Sequence, residues 1–583
     1  MDSRPPLVPA YRTLPEYVRH WAETTPARRA FTFVDHPAAS SRGVHRTLTW
    51  QGLDRRVRAL ADRLAGQAGP GARVALLCPQ GTDYVTAFLA ALSAGMVAVP
   101  LYPPGLAGHA DRLAGVLADA RPEVVVTSGH VLEEVEAFCR RWPVSVIAAD
   151  PGSGAAAGTA PPAASDAGAT AYLQYTSGST RAPAGVEITH ANVVANARQA
   201  LTAYGADTRP VTCVGWLPLY HDMGLVLSVA APVVGGHLSV LMDPAAFLHE
   251  PARWLRLLAA HPRTVSAAPN FAYEYCATAV TDAQKADLRL DGVVALVNGS
   301  EPVRPGTADR FHAAFAAQGL AADVHCPSYG LAEATVFVSA SAPGEPLRRF
   351  TLDRDALAAG KALPAGPDDA DAVLLTGCGA PVDQQVRIVD PVSRTALSEG
   401  EVGEIWVQGP NVGRGYWNNG PQSRRVFGAE LAGVPGGWLR TGDLGTLLEG
   451  ELTVTGRLKD LIVVDGRNHY PQDVEGTAQD AHPAVRRDRL AAFGVPGVRR
   501  GEGEGERVVL VAEHARTARL DEIDVPALAR AVRAAVSARH GLRLADVVLV
   551  PPGAVPRTSS GKVSRALTRT RYLEGVYGAR SAG

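Results

Sequence analysis

The sequence predicts an α/β protein built from more than one packed unit, and three observations carry that expectation. From the N-terminus to about Val386, short apolar runs alternate with amphipathic helical stretches, the pattern of strands wound into largely parallel sheets. Beyond Val386 the pattern changes to short strands between glycine turns, in VRIVD, EIWVQG and ELTVTG. The 583 residues also exceed what one hydrophobic core holds, so two or three units are expected.

The elements follow in order. Asp54–Gly66 and Asp83–Gly95 carry apolar residues at helical spacing. Arg73–Cys78, Val97–Leu101, Glu123–Thr127 and Ser145–Ala149 read as strands of a first α/β unit. Pro151–Gly168 is rich in Ala, Gly, Pro and Ser without periodicity, the composition of a flexible surface connection. A second α/β run is expected from Ala171, with strands Ala171–Tyr175, Val211–Leu217, Leu238–Leu241 and Val293–Asn298. Its helices include His190–Tyr204 and Pro251–Ala260. The glycine-punctuated strands after Val386 suggest a small β-rich subdomain. From Gly456 onward, strands at Leu461–Val464, Val508–Ala512 and Val547–Val550 suggest a separate small domain, with Arg499–Glu506 as a charged loop. The expected division is 1–455 and 456–583.

Bulk properties narrow the function. With 46% hydrophobic and 20% charged residues, the composition is that of an ordinary globular protein. A formal net charge of −1 gives no field drawing it to nucleic acid or an anionic membrane. No apolar run is long enough to span a bilayer, and the start lacks the basic-then-apolar order of a signal peptide. Six scattered cysteines show no metal-ligand spacing and read as buried thiols of a cytoplasmic protein. Only four lysines occur, Lys285, Lys361, Lys459 and Lys562, against 53 arginines. In so arginine-biased a chain, a retained lysine suggests a need for lysine.

Four motifs carry chemistry. Tyr175-Thr-Ser-Gly-Ser-Thr-Arg-Ala-Pro-Ala-Gly185 lies between a strand and a helix. Its glycines free backbone N–H groups, and Thr176, Ser177, Ser179 and Thr180 add hydroxyls, the makings of a phosphate cradle. It is not a Walker loop, because no Gly-Lys-Ser/Thr follows; a polar turn is the bland alternative. Tyr329-Gly-Leu-Ala-Glu-Ala-Thr335 sets the carboxylate of Glu333 after a glycine turn, a fit for magnesium shared with phosphates. An exposed glutamate at a helix start is its alternative. Asp443, in the turn of Trp438-Leu-Arg-Thr-Gly-Asp-Leu-Gly445, suits ribose hydroxyls, or caps its own backbone. Lys562 follows a glycine turn in Pro556-Arg-Thr-Ser-Ser-Gly-Lys-Val-Ser-Arg565. It is either a point cation for a carboxylate and an α-phosphate or a solvated tail lysine.

Taken together, in this order and spacing, these motifs resemble the adenylate-forming superfamily of acyl-CoA synthetases, nonribosomal-peptide adenylation domains and luciferases. The resemblance runs from about Pro15 to Tyr572. It implies a large N-terminal domain of two α/β subdomains plus a β-barrel-like subdomain, and a small mobile α+β C-terminal domain carrying the lysine. Several segments resemble one branch, the fatty acyl-AMP ligases: Trp216-Leu-Pro-Leu-Tyr-His-Asp-Met-Gly224, Ala268-Pro-Asn-Phe-Ala-Tyr273, Asn298-Gly-Ser-Glu-Pro302 and Gly466-Arg-Asn-His-Tyr-Pro-Gln-Asp473. Ala184 stands where most superfamily members have the loop lysine. Roughly Ser341–Val373 resembles the branch's inserted segment, which is associated with making acyl-AMP without passing the acyl group to coenzyme A.

The resemblance implies roles. Thr176, Ser177, Gly178, Ser179 and Thr180 would hold the phosphates of ATP, and Glu333 would hold Mg²⁺. Ser300, Glu301, Pro302, Tyr329 and Gly330 would surround adenine, and Asp443 with Arg457 would hold ribose. Lys562 would bridge the carboxylate and α-phosphate, His221 would sit near the reacting carboxylate at the mouth of an acyl tunnel, and Lys459 would be the hinge. A packed or capping histidine is the alternative for His221. The implied reaction is activation of a fatty acid to acyl-adenylate, then transfer to the phosphopantetheine thiol of a separate acyl carrier protein, or a carrier domain of a polyketide or nonribosomal peptide synthase. The rivals are a fatty acyl-CoA ligase, an amino-acid adenylation enzyme and a non-catalytic nucleotide-binding scaffold. Amino-acid modules usually present an aspartate to the substrate amine in the region after Asn270; NFAYEYC here favours an uncharged tail.

Overall fold

The computed structural model describes residues 9–578 except 39–41, 107–109, 151–165, 177–182, 367–368, 370, 465, 500–501 and 559–560. Most of the expected connection at Pro151–Gly168 lies outside the described residues.

Two sheets, both mostly parallel, form the bulk of the molecule. In spatial order the first holds Gly415–Tyr416, Gly185–Thr189, Thr170–Tyr175, Val97–Pro100, Arg73–Leu76, Val124–Thr127 and Ser145–Ala148. The second runs Ala380–Pro381, Phe337–Ala340, His325–Gly330, Val293–Asn298, Thr264–Ala268, Thr212–Gly215, Leu238–Met242, Arg29–Asp35 and Val44–Thr49. Central strands such as Val124–Thr127 are buried along their length, as strands covered by helices on both faces must be. The helix Trp50–Ala65 shows the local logic. Thr49 caps it through Gly52 N at 3.1 Å, and Trp50, Leu53, Val57, Leu60 and Leu64 form its one buried face. Thr49→Ala would cost about 1 kcal/mol at that end.

One expectation about sheet membership is corrected. Thr170–Tyr175 does not open the second α/β unit; it pairs with Val97–Pro100 through Tyr172 and Ala98, in the first sheet. Conversely Arg29–Asp35, from the N-terminal part, pairs in parallel with Leu238–Met242 in the second, Phe31 opposite Ser239. Periodicity fixes that a segment is a strand, but its partner is chosen by packing between distant segments.

The β-rich subdomain contains Gln385–Val389, Gly403–Gln408, Ala429–Leu431, Val434–Leu448 and Glu451–Arg457. Its last two strands pair with Asp443 opposite Arg457. Because that strand ends at Arg457, the chain enters the small domain through the short 3₁₀ turn Leu458–Asp460, just past the expected boundary. The small domain has a three-stranded sheet, Val485–Arg499, Glu502–His514 and Leu544–Val550. Helices Pro471–Asp480 and Val525–His540 cover it with a core of their own, including Val474, Leu510 and Val532. The expected charged loop at Arg499–Glu506 is paired in its described part, with Pro496 opposite Glu506 and Arg499 opposite Glu502, while 500–501 lie outside the described residues. The backbone ladder anchored at Val508–Ala512 continues outward whatever the polarity of its side chains.

The expected insertion folds as a two-stranded antiparallel unit, Arg349–Leu352 with Val373–Thr376, enclosing the helix Arg354–Ala358. Leu352, Leu357 and Val373 pack with Leu444 of the β-rich subdomain and Tyr470 of the small domain. All six cysteines are buried free thiols.

Candidate active site

The expected phosphate loop leaves the first sheet at Tyr175. Ser177, Gly178, Ser179 and Thr180 lie outside the described residues, but the base of the loop is defined. Thr176 N donates to Ala184 O at 3.3 Å. Gly185 is required there, because a Cβ would stand 2.9 Å from the Tyr175 ring. Helix Ala110–Ala120 grips the base: Arg112 donates to Thr176 O at 2.6 Å, and Tyr175 Oη donates to Asp119 at 2.6 Å. Gln174 Nε2 then reaches Tyr220 O at 3.0 Å, joining the loop strand to the segment carrying His221.

His221 precedes the helix Asp222–Leu225, and Leu225 N donates to its carbonyl at 2.8 Å. The rod continues as a π turn at Val226–Ala230 and the helix Ala231–Gly235. Ser239 Oγ donates to Ser228 O in the π turn at 2.7 Å. Such turns often mark functional sites. Leu227 and Ala231 on this rod, with Tyr204, Cys213, Val265 and Val297, line an apolar cavity of about 30 Å³. Met223, one turn above Leu227, touches the site itself, accepting from Ser300 Oγ at 3.3 Å.

Ser300 follows the strand Val293–Asn298 in a left-handed conformation, φ +70, a costly geometry for a non-glycine residue that clusters at functional sites. Glu301 accepts from Phe271 N at 2.6 Å, in the first turn of helix Asn270–Ala279. Its carboxylate is therefore committed to a helix end, and Pro302 beside it is exposed. Tyr329 is buried and donates from Oη to Asp443 Oδ2 at 2.9 Å. The other oxygen of Asp443 pairs with Arg457 Nε at 3.0 Å. Gly330 cannot carry a side chain, since a Cβ would fall 1.6 Å from Val336 O.

Glu333, on the 3₁₀ turn Ala332–Ala334, is half-buried. Burial raises its carboxyl above the ordinary value; a hydrogen bond from Tyr416 opposes the rise, and the charges of Asp443 and Asp222 add to it. Lys562, in the small domain, is half-buried. Burial and Arg457 press its ammonium below the usual lysine value, while Asp222, Glu301 and Asp443 pull it back. The fold thus brings Lys562, Glu301, Asp222, Asp443 and Arg457 from separate elements into one field of opposing charges. Lys459 lies on the exposed 3₁₀ turn between the domains.

With this geometry in view, the relatives are informative. The AMP-binding enzyme profile matches residues 18–417, more than half the chain. The chain belongs to the AMP-binding enzyme family. A second profile, the AMP domain of Disco-interacting protein 2-like proteins, matches residues 459–581. The chain is 42% identical to long-chain-fatty-acid–AMP ligase FadD26 of Mycobacterium marinum, covering 96% of this chain and 97% of that one. It is 41% identical to 4-hydroxyphenylalkanoate adenylyltransferase of Mycobacterium tuberculosis, covering 96% and 92%. Among solved structures, the fatty acyl-adenylate ligase of L. pneumophila in complex with acyl adenylate and pyrophosphate superposes with a TM-score of 0.74 at 32% identity. That match covers 97% of this chain and 96% of that one.

Several residues of this AMP-binding enzyme escaped sequence reasoning. Arg112 and Asp119 hold the phosphate-loop base, and Gln80 clamps the His221 segment through Leu217 O at 3.1 Å and Leu219 N at 3.1 Å. None sits in a motif, and only tertiary contact reveals them. Tyr416, in the string Gly-Arg-Gly-Tyr-Trp, had the one readable signal: an aromatic amid glycines, between two strands of the β-rich subdomain. The insertion also proves to be a bridge in this AMP-binding enzyme. Arg354 pairs with Asp473, Asp355 with Arg467, and Tyr470 Oη donates to Leu357 O at 3.4 Å.

Proposed function

We propose that this AMP-binding enzyme is a fatty acyl-AMP ligase that loads a separate carrier protein. The observation that carries the reading is the buried Asp443 carboxylate held by Tyr329 and Arg457, whose charge reaches Lys562 of the small domain together with those of Asp222 and Glu301.

A carboxylate oxygen of the fatty acid attacks the α-phosphorus of ATP, the α–β bridging bond breaks, and pyrophosphate leaves. Lys562 neutralises charge on the incoming carboxylate and the α-phosphate, a role in which a preorganised cation is worth several kcal/mol. Asp443, held by Tyr329 and Arg457, takes the ribose hydroxyls. Ser300, Glu301 and Pro302 with Tyr329 and Gly330 frame adenine, and Thr176–Thr180 hold the phosphates. His221 orients the reacting carboxylate of the acid. Lys459 serves as the pivot between half-reactions.

The donor set around Glu333 fits Mg²⁺. Among the described residues no cluster of three metal-ligating side chains exists, and Glu333 has carboxylate neighbours that raise its pKa. One carboxylate completed by substrate phosphates is how Mg²⁺ is commonly held. When bound there, the ion would neutralise developing charge on the phosphates.

The 42% identity over nearly the whole chain to a long-chain-fatty-acid–AMP ligase supports acyl-AMP ligase over acyl-CoA ligase. No described helix is long and apolar enough to cross a membrane; we place the enzyme in the cytoplasm with its carrier. The test is mass spectrometry of products from a panel of fatty and aryl-alkanoic acids, with ATP, Mg²⁺, CoA and holo-carrier protein together. Acyl-AMP and acyl-carrier from fatty acids are expected. Robust acyl-CoA would sink the ligase assignment, and products from aryl acids alone would sink the substrate class.

A further inference from the structure

Tyr416 is used by none of the roles above. It lies on the two-residue strand Gly415–Tyr416, paired antiparallel with Gly185–Thr189, Tyr416 opposite Val186. Its neighbour Trp417 donates to Gly185 O at 2.7 Å, at the exit of the phosphate loop. Its hydroxyl donates to Glu333 Oε1 at 2.8 Å. The same chain segment grips the Glu333 turn at three further points. Gly413 N donates to Glu333 O at 2.9 Å, Thr335 Oγ1 donates to Asn411 O at 2.7 Å, and Asn411 Nδ2 donates to Ala334 O at 3.2 Å. Thr335 is itself left-handed, φ +68, so the turn adopts a conformation that its surroundings must enforce. The Tyr416 ring is set edge-on to Phe427, centroids 5.1 Å apart, which limits its swing.

We propose that Tyr416 is a positioning residue for the metal carboxylate: its hydroxyl fixes Glu333 in register with the exit of the phosphate loop. The inference rests on the reading of Glu333 as the Mg²⁺ ligand. The hydrogen bond engages Oε1 and so sets the direction of the other oxygen. A ligand's hydrogen-bonded neighbour commonly governs its metal affinity in this way. Because Tyr416 and Gly185 belong to one sheet ladder, the carboxylate is tied to the strand at the exit of the phosphate loop.

The experiment is calorimetric titration of a non-hydrolysable ATP analogue, with and without Mg²⁺, into wild type, Tyr416→Phe and Glu333→Gln. Tyr416→Phe is expected to weaken binding about tenfold with Mg²⁺ and to leave metal-free binding unchanged. Equal weakening in both conditions, or no change in either, would overturn the proposal. Glu333→Gln separates the two layers of the argument. If it too leaves the Mg²⁺ increment intact, Glu333 is not the ligand; if it abolishes the increment while Tyr416→Phe does not, only the present inference fails. Should Tyr416→Phe fold poorly, fluorotyrosine at 416 in the full chain gives a second reading. Its fluorine resonance should shift on adding Mg²⁺ to the analogue complex, and not in Glu333→Gln; an unmoved resonance in the wild-type background would overturn the proposal.

Discussion

Arg304 Nη1 of the large domain lies 2.5 Å from Asp488 Oδ1 of the small domain. Arg304 closes the Ser300–Pro302 segment and opens helix Pro305–Phe315. Asp488 sits left-handed, φ +57, in a break in the hairpin register. The pair therefore links the expected adenine segment to the domain that delivers Lys562. Both side chains remain about a third exposed, so its contribution is modest. Arg304→Ala should slow fatty-acid-dependent pyrophosphate exchange by about two- to fivefold, and the double variant with Asp488→Ala should be no slower than either single one. Additive losses would show that the residues act separately.

Lys562→Ala removes the lysine whose charge meets those of Asp222, Glu301 and Asp443. Acyl-adenylate formation should fall by at least about a hundredfold, while ATP affinity stays within about threefold. A pre-steady-state assay separates the two; unchanged turnover would remove the assigned role.

His540 lies beside Arg354 at the bridge. Arginine only donates, so Nδ1 of His540 accepts from Arg354 Nη1 at 3.3 Å and Nε2 carries the proton toward Thr477 Oγ1 at 2.7 Å. Burial, with Arg354, Arg539 and His469, presses its pKa down to about 3. The folded value lies below the unfolded one, about 6.5, so the neutral ring favours the folded state above that value. The benefit is lost as pH falls from about 6.5 toward about 3. Protection factors in helix Val525–His540, with the intrinsic pH dependence of exchange divided out, should fall between pH 7 and 5, and His540→Gln should flatten that dependence. His190, His237 and His325, each pressed to about 4 by burial, add a global decline in melting temperature over the same range.

What the sequence reveals here depends on distance along the chain. Strand Val293–Asn298 and helix His190–Ala203 are legible because their signals are local: a β-branched run, and a Thr189–Asn192 capping box. The partner of Arg29–Asp35 is not, because it lies some two hundred residues away and nothing in RAFTFVD names it. The site divides the same way. Glu333, Asp443 and Lys562 stand in motifs whose residue types announce charge handling. Arg112 and Gln80 act through one hydrogen bond each or a few, from positions where arginine or glutamine is unremarkable. Glu301 was legible as a site residue, but its hold on Phe271 N became visible only in three dimensions.

The burial of every cysteine has a practical side. Carrier loading consumes the free sulfhydryl at the end of a pantetheine arm, and a maleimide dye counts free sulfhydryls. Cys78, Cys139, Cys213, Cys276, Cys326 and Cys378 all sit inside the fold, with burial lifting each thiol pKa and so starving it of the reactive thiolate. The native protein is dark to such a dye, and in a mixture with a carrier that has no other cysteine the fading of the label would report acyl transfer directly.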